Sequence, residues 1–566
     1  MRVSRTTATP NLDTHVLIGA FVDELGRCGI TDACTSPGSR CAPLVLALAR
    51  DPALSAHSHV DERSSGFFAV GLAKASGRPV AITCTSGTAA ANLAPAVVEA
   101  DEARIPLIVL TADRPPELRD VGAGQAIDQI KLYGAAARWF FEVGTHEATP
   151  ESLRWIRTLA CRAVAEACGE RPGPVHLNWA LREPLVPSGA VAVPEGRPGR
   201  RPWVTRERAD APAADLSRLI DGRARGVIVA GRSDRPLHAL PALASACNYP
   251  LLADPLSGAR TGDAAIAHYD LLLRDDSFAS AQRPEVVIRV GDLPTSKQLR
   301  GWVADLDGTL QIAIDPEGAW QDPAAVVEHS LRASPELLAP PAAADPDWLA
   351  GWRERDARVG GAVSRTLRGG ALSELGVAQI LGERLPADAT LFVAASMPVR
   401  EIEMVWPVRP TPARVLSNRG ANGIDGTLSS AFGASAAGTG PVVALIGDVA
   451  FAHDIGGLLA ATRLGLVITI VLLDNGGGGI FDHLAVAGES DVYEEHVATP
   501  TGIDFAAAAQ VYGLDYAAPG SPGELERLLA RGLAERSRAT LLHVMVERAA
   551  SVELHRRLVA AASQLS

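Results

Sequence analysis

Along the whole chain, short runs rich in Val, Ile, Leu and Ala alternate with stretches whose apolar positions recur at helical spacing. Gly, Pro, Asn or Asp punctuates most of the changes. Apolar runs of this length read as strands buried on both faces, and strand–helix alternation predicts mostly parallel sheets with helices on either side. In the first third the pattern predicts helices over 15–28, 43–49, 64–75 and 88–99, and strands over 32–36, 55–60, 80–85 and 106–111. The middle third offers strands at 226–230, 251–253, 286–290 and 310–314. In the last third, strands over 441–446 and 467–473 flank a helix over 455–464, and 541–546 reads as the closing strand. The class is therefore α/β, as three doubly wound parallel-sheet domains.

Two polar, Pro-rich stretches, 187–215 and 338–346, read as linkers, which divides the chain into domains at 1–187, 215–338 and 348–566. With 566 residues, 47% of them hydrophobic, there is material for several cores. The net charge of −12 argues against a nucleic-acid partner, so an anionic substrate must be met by a local cluster of Arg and Lys. The seven cysteines include no Cys-x-x-Cys and read as buried free thiols of a reducing cytosol rather than a disulfide frame or zinc site. The first residues lack a secretion signal, and no apolar stretch is long enough to span a bilayer, so a cytoplasmic protein without a membrane partner is expected.

Candidate chemistry lies at the C-terminal tips of the expected strands, where open parallel sheets gather ligands. Gly447-Asp448-Val449 ends one strand, and Asp474-Asn475 followed by Gly476, Gly477, Gly478, Gly479, Ile480 and Phe481 ends the next. The oxygens of Asp448 and Asn475 then reach one sheet edge, a hard donor set that suits Mg²⁺ beside phosphate. The glycines let backbone approach such a group closely. An ordinary strand-turn-helix unit is the plainer reading of a Gly-Asp pair taken alone. Further tips carry Ser36-Pro37-Gly38-Ser39-Arg40, Asp61-Glu62-Arg63, Thr85-Ser86-Gly87-Thr88 and Ala112-Asp113-Arg114-Pro115. Glu62 by itself reads as an acid opposing the dipole of a helix start. The middle third lacks a Gly-x-Gly-x-x-Gly fingerprint, and its Lys297 follows Gly291-Asp292. The Gly- and Asn-dense loop 417–426 is expected to visit positive φ repeatedly, and its Arg419 to face an anion.

The Gly-Asp, then Asn, spacing resembles the signature of the thiamine-diphosphate-dependent enzymes, with Val449 and Asp474 as departures from it. Ser-Pro-Gly-Ser-Arg (36–40), Asp-Glu-Arg-Ser-Ser-Gly-Phe-Phe (61–68), Gly-Gln-Ala-Ile-Asp-Gln (124–129), Asn-Arg-Gly-Ala-Asn-Gly-Ile-Asp-Gly (418–426) and Gly-Gly-Gly-Ile-Phe (477–481) resemble the menaquinone-pathway branch of that family. The resemblance spans all three thirds of the chain. It implies a pyrimidine-binding domain, a central domain without FAD and a diphosphate-binding domain, in that order. The implied cofactors are thiamine diphosphate and Mg²⁺, with Mn²⁺ as a substitute, the metal being held by Asp448, Asn475 and the carbonyl of Gly477. Glu62 would hydrogen-bond the aminopyrimidine, and Ser86, Ser396, Met397, Ile424, Gly447, Ile480 and Phe481 would contact the cofactor. Ser39, Arg40, Arg114, Gln125, Lys297, Ser396, Arg400 and Arg419 would line the substrate site.

The implied reaction is decarboxylation of 2-oxoglutarate and 1,4-addition of the succinyl carbanion to isochorismate. The implied assembly is a homodimer or dimer of dimers with active sites at the subunit interface. Gly124 stands where relatives often carry Asn, and Asp474 adds a charge near the diphosphate. The alternatives are another carboligase or decarboxylase of 2-oxoacids, separable by substrate, and a cofactor-binding protein without catalysis.

Overall fold

The computed structural model describes residues 12–187, 189–206, 216–220, 222–233, 237–333, 345–367 and 370–564. Most of the 338–346 linker and part of the 187–215 linker lie outside the described residues. Three sheets organise the described residues. The first comprises β1 (Asp32–Thr35), β2 (Ser55–Ser58), β3 (Val80–Cys84), β4 (Leu107–Asp113), β5 (Trp139–Val143) and β6 (Pro174–Ala180). The second comprises β7 (Gly226–Ala230), β8 (Leu251–Ala253), β9 (Val286–Val290), β10 (Leu310–Ile314) and β11 (His329–Leu331). The third comprises β12 (Thr390–Val393), β13 (Arg414–Leu416), β14 (Val442–Gly447), β15 (Thr469–Asp474), β16 (Asp515–Ala517) and β17 (Thr540–Met545). Strand orders are β2-β1-β3-β4-β6-β5, β11-β10-β9-β7-β8 and β13-β12-β14-β15-β17-β16. All pairings are parallel, as the expected α/β class requires.

The structure forms two compact units, the first holding the described residues up to 206 together with Asn418–Gly438 and Asp454–Leu466. Its sheet is covered on one face by the helices Leu12–Arg27, Ala42–Arg50 and Pro150–Ala167, through a core that includes Phe21, Leu25, Leu44, Leu159 and Trp179. The helix Glu62–Ser76 packs so tightly on Thr427–Ala436 that a Cβ on Gly71 would stand 1.9 Å from the Ser430 carbonyl oxygen. A Cβ on Gly433 would stand 2.0 Å from that of Phe68. The helix expected over 88–99 is interrupted, running as Thr88–Asn92 and then Ala94–Ala103. Pro95 is the reason, because it has no N–H to give and its ring collides with the carbonyl one turn back.

The second unit holds the other two sheets, with a core in which Trp348 and Trp352 of the helix Pro346–Leu367 join side chains of both. The helix placed over 455–464 begins earlier, as Asp448–His453, followed by a 3₁₀ turn Ile455–Leu458 and a short helix Leu459–Arg463. Gly456-Gly457 weakens helix propagation at that point. The strand expected over 541–546 is β17, the last strand in the element order; it lies between β15 and β16 in the sheet, and a long helix, Arg548–Ser563, follows it. Among the described residues no helix is long and apolar enough to cross a membrane.

Candidate active site

In the second unit, three neighbouring strands, β12, β14 and β15, deliver their tips to one edge. β14 ends at Gly447 and Asp448 starts a helix at once; its side chain is only 2% exposed. Burial, then the charge of Asp474, pushes the Asp448 carboxyl up to about 6, although it accepts backbone N–H bonds from Val449 and Gly477. A buried carboxylate held in this way gains strongly from a cation. β15 delivers Asn475, whose Nδ2 donates to Glu374 Oε1 at 2.7 Å while its Oδ1 is buried without a hydrogen-bond partner. A buried amide oxygen left unpaired is costly, so it fits a ligand bond to a metal.

Gly477 (φ +139°) has room for no side chain, since a Cβ would lie 2.6 Å from the Ala498 carbonyl oxygen. A Cβ on Gly447 would meet no protein atom within 4 Å, so protein packing does not demand that glycine. Asp474 is turned aside. Its Oδ2 faces His543 Nε2 at 2.8 Å and its Oδ1 accepts from Gly476 N at 3.1 Å, and the histidine holds it below the usual carboxylate range. The hard oxygens of Asp448, Asn475 and the Gly477 carbonyl suit an octahedral divalent cation. Ile480 and Phe481 follow in a half-buried 3₁₀ turn, Gly479–His483.

Beyond β12, Ser396 takes φ +70° immediately before the helix Met397–Val405, which carries Arg400, and makes no side-chain bond to that helix start. Arg400 donates to the Ser396 carbonyl and is lowered from the usual guanidinium range by burial and by Arg300. Lys297 opens the helix Lys297–Ala304 and lines a cavity of about 260 Å³ with Arg289, Asp292, Arg300 and Asp322. Arg300 gives no sign of this in the sequence, where it reads as one more charged helix position.

In the first unit, Asp61 caps the helix that Glu62 begins, its carboxylate accepting from Arg63 N at 2.9 Å. Glu62 is half-buried, and burial followed by Asp61 raises its pKa, which favours a carboxyl able to hold a proton. Four neighbours converge beside β3 and β4. Arg114 donates to Ser86 Oγ at 3.0 Å and to the Gly124 carbonyl at 2.9 Å. Ser86 Oγ donates to the Gln125 carbonyl at 2.8 Å, and Gln125 Nε2 returns a bond to the Ser86 carbonyl at 2.9 Å. Gln125 sits at φ +58° to do so. Arg40 is buried, donates to the Leu181 carbonyl at 2.9 Å, and is lowered by burial and then by Arg114, so the two guanidiniums face a common region. Ser39 is exposed beside it.

The loop bearing Arg419 and Ile424 departs from expectation, since only Asn422 and Gly426 have positive φ within it. Gly420 is required instead for close approach, its Cβ position lying 2.6 Å from the Glu99 carbonyl oxygen. Glu99 also accepts from Gly420 N at 3.1 Å and Ala421 N at 2.7 Å, which ties the loop down beside half-buried Arg419. Sequence reasoning missed Glu99, Gln129 and Glu374. Gln129 accepts from Gly87 N at 2.9 Å and donates to Asn178 Oδ1 at 2.9 Å, bracing the Ser86 loop. Its place in the Gly-Gln-Ala-Ile-Asp-Gln segment was the available signal.

Comparison with known proteins covers most of the chain. Residues 17–132 match the family described as thiamine pyrophosphate enzyme, N-terminal TPP binding domain. Residues 197–393 match the middle domain of thiamine pyrophosphate enzymes, and 400–544 their C-terminal TPP binding domain. A 2-succinyl-5-enolpyruvyl-6-hydroxy-3-cyclohexene-1-carboxylate synthase of Geobacillus kaustophilus is 44% identical over 561 residues, covering 96% of this chain and 97% of its own. Proteins of the same name from Geobacillus thermodenitrificans (44% over 565 residues, 97% of this chain and 96% of its own) and Halobacterium salinarum (42% over 549 residues, 91% and 92%) are similar throughout.

Proposed function

The chain belongs to the thiamine pyrophosphate enzymes, within them to the 2-succinyl-5-enolpyruvyl-6-hydroxy-3-cyclohexene-1-carboxylate synthases, and from that membership we infer its reaction. It decarboxylates 2-oxoglutarate and adds the succinyl unit in 1,4 fashion to isochorismate, releasing CO₂, a transferase step of menaquinone biosynthesis. The observation that supports this most is the buried, unpaired Oδ1 of Asn475 beside the buried Asp448. Those two residues and the Gly477 carbonyl would hold Mg²⁺ or Mn²⁺ and, through it, the cofactor's diphosphate. Bound thiamine diphosphate supplies the electron sink for decarboxylation of a 2-oxoacid.

The chain's own residues do the rest. Glu62, whose carboxyl is raised by burial and then by Asp61, would hydrogen-bond the aminopyrimidine and exchange a proton with it. Each substrate carries two carboxylates, which an acidic protein meets with Arg40, Arg114, Lys297, Arg400 and Arg419. Arg114 is oriented before substrate arrives, because Ser86 Oγ and the Gly124 carbonyl fix its plane. Gln125 and Ser39 would contact substrate, while Ser396, Met397, Ile424, Gly447, Ile480 and Phe481 would contact the cofactor. Gly124 contributes its carbonyl to this arrangement where a side chain is absent.

Residues 1–187 serve as the pyrimidine-binding domain, 215–338 as the central domain and 348–566 as the diphosphate-binding domain. The working form is a homodimer or a dimer of dimers in the cytoplasm, with Glu62 and Asp448 meeting one cofactor from different subunits. The test is an assay with Mg²⁺, thiamine diphosphate, 2-oxoglutarate and isochorismate, following loss of the isochorismate diene absorbance. Consumption that requires 2-oxoglutarate and is not supported by pyruvate is expected; activity with pyruvate alone would favour another carboligase.

A further inference from the structure

An asparagine amide has two ends of similar shape and opposite chemistry, and only its oxygen suits a cation. Something must therefore decide which way Asn475 points. Glu374 opens the helix Glu374–Arg384, capped by Ser373, whose Oγ accepts from Gly376 N at 3.1 Å. Its carboxylate is buried and both oxygens act as acceptors. Oε1 takes Nδ2 of Asn475 at 2.7 Å, and Oε2 takes the hydroxyl of Ser551, in the first turns of Arg548–Ser563. The neighbouring Glu401 is pushed well above the usual carboxylic range by burial and by Glu374.

A flipped Asn475 would set its oxygen against this carboxylate and its NH₂ toward Asp448's edge, losing a hydrogen bond and repelling a cation. Gly479 closes the remaining side, a Cβ there lying 2.6 Å from Nδ2. Asp474 cannot substitute as the orienting group, because His543 and Gly476 N occupy its two oxygens. We propose that Glu374 is the positioning residue that locks the Asn475 amide with its oxygen toward the divalent cation of the thiamine diphosphate site. This assignment rests on the functional reading given above. Outer partners of this kind are worth about 10- to 100-fold in metal affinity.

The test exchanges donor and acceptor. Mn²⁺ is titrated into the full chain with thiamine diphosphate, and free Mn²⁺ is counted by electron paramagnetic resonance for wild type, E374Q, N475D and E374Q/N475D. E374Q should weaken Mn²⁺ binding about 10- to 100-fold, because the introduced amide can present its NH₂ or its oxygen and so tolerates the flipped asparagine. N475D should weaken it as two carboxylates face each other. In the double variant the introduced amide donates to the introduced carboxylate, whose other oxygen again faces the metal, and affinity should recover beyond either single variant. Ser551→Ala, which frees one oxygen of Glu374 with less disturbance, should give a smaller loss in the same direction. It also keeps the question decidable if E374Q does not fold, which the thermal midpoint of the unloaded chain reports. Unchanged Mn²⁺ binding in folded E374Q, or additive losses in the double variant, would overturn the assignment. Failure of the wild-type chain to take up Mn²⁺ with the cofactor would instead overturn the functional reading.

Discussion

Lys74 and Glu99 form a buried ion pair, Nζ to Oε1 at 3.0 Å, with side chains only 2% and 4% exposed. Lys74 also donates to Asn418 Oδ1 at 3.0 Å, and Glu99 accepts from Gly420 N and Ala421 N. The pair thus fixes both ends of the segment carrying Arg419. Lys74→Met leaves a carboxylate buried without its cation, and a loss of about 3–5 kcal/mol in unfolding free energy is expected. Urea denaturation measures it. The double variant Lys74→Met/Glu99→Gln should lose less than the sum of the singles, and a strictly additive result would contradict the coupling.

The Glu62–Ser76 and Thr427–Ala436 helices touch through backbone, and a methyl group tests that directly. Gly71→Ala and Gly433→Ala should each destabilise by about 1–3 kcal/mol or more, since carbonyl oxygens stand 1.9 and 2.0 Å from the new Cβ positions. Gly351, inside the helix Pro346–Leu367, has no atom within 4 Å of a Cβ, and its replacement by Ala should stabilise by about 0.5–1 kcal/mol. Thermal melts of the three variants would show opposite shifts.

Much of the architecture is legible in the residues. Parallel strands buried on both faces stand out as apolar runs, and the four middle strands 226–230, 251–253, 286–290 and 310–314 lie where the pattern predicts them. β5, β6 and the helix Pro150–Ala167 escape that reading, because the long irregular connection after β4 breaks the alternation. β5 is also only half-buried over most of its length, so it lacks the run of fully buried positions seen in its neighbours. At the candidate site, Asp448 and Asn475 announce themselves by position at strand tips. Glu374 and Glu99 do not, since each acts through partners far away in sequence, Asn475 and the 418–421 segment. A lone acid in an early helical turn gives no local sign of such a partner.

Two buried histidines predict an acid limb to stability. His59 is pushed down to about 3 by burial, then by His57 and Arg463, and His176 to about 3 by burial. The unfolded chain takes up these protons near the ordinary value of 6.5 while the folded chain resists them. Stability is therefore full above pH 6.5 and falls as pH drops from there toward 3, by up to about 1.4 kcal/mol per pH unit for each histidine. His59→Gln should make the fall in melting temperature between pH 6.5 and 5 shallower. An unchanged slope would show that His59 is not one of the groups responsible.

Glu62→Gln keeps the shape and removes the titrating oxygen. Thiamine diphosphate should still bind, while kcat falls about 10²- to 10⁴-fold, and stopped assays at saturating cofactor measure the drop. Mixing Glu62→Ala with Asp448→Ala after proven subunit exchange should restore part of the activity if each active site draws on two chains. No recovery would contradict the shared-site dimer.

The edge formed by β12, β14 and β15 would hold thiamine diphosphate through a divalent cation on Asp448 and Asn475. Calorimetric titration of thiamine diphosphate into the purified chain with saturating Mg²⁺ tests it most directly. Saturable binding of one cofactor per chain is expected, abolished by chelating the metal and strongly weakened in Asp448→Asn. Absence of binding in the wild-type chain, or binding indifferent to Mg²⁺ and to Asp448, would contradict it.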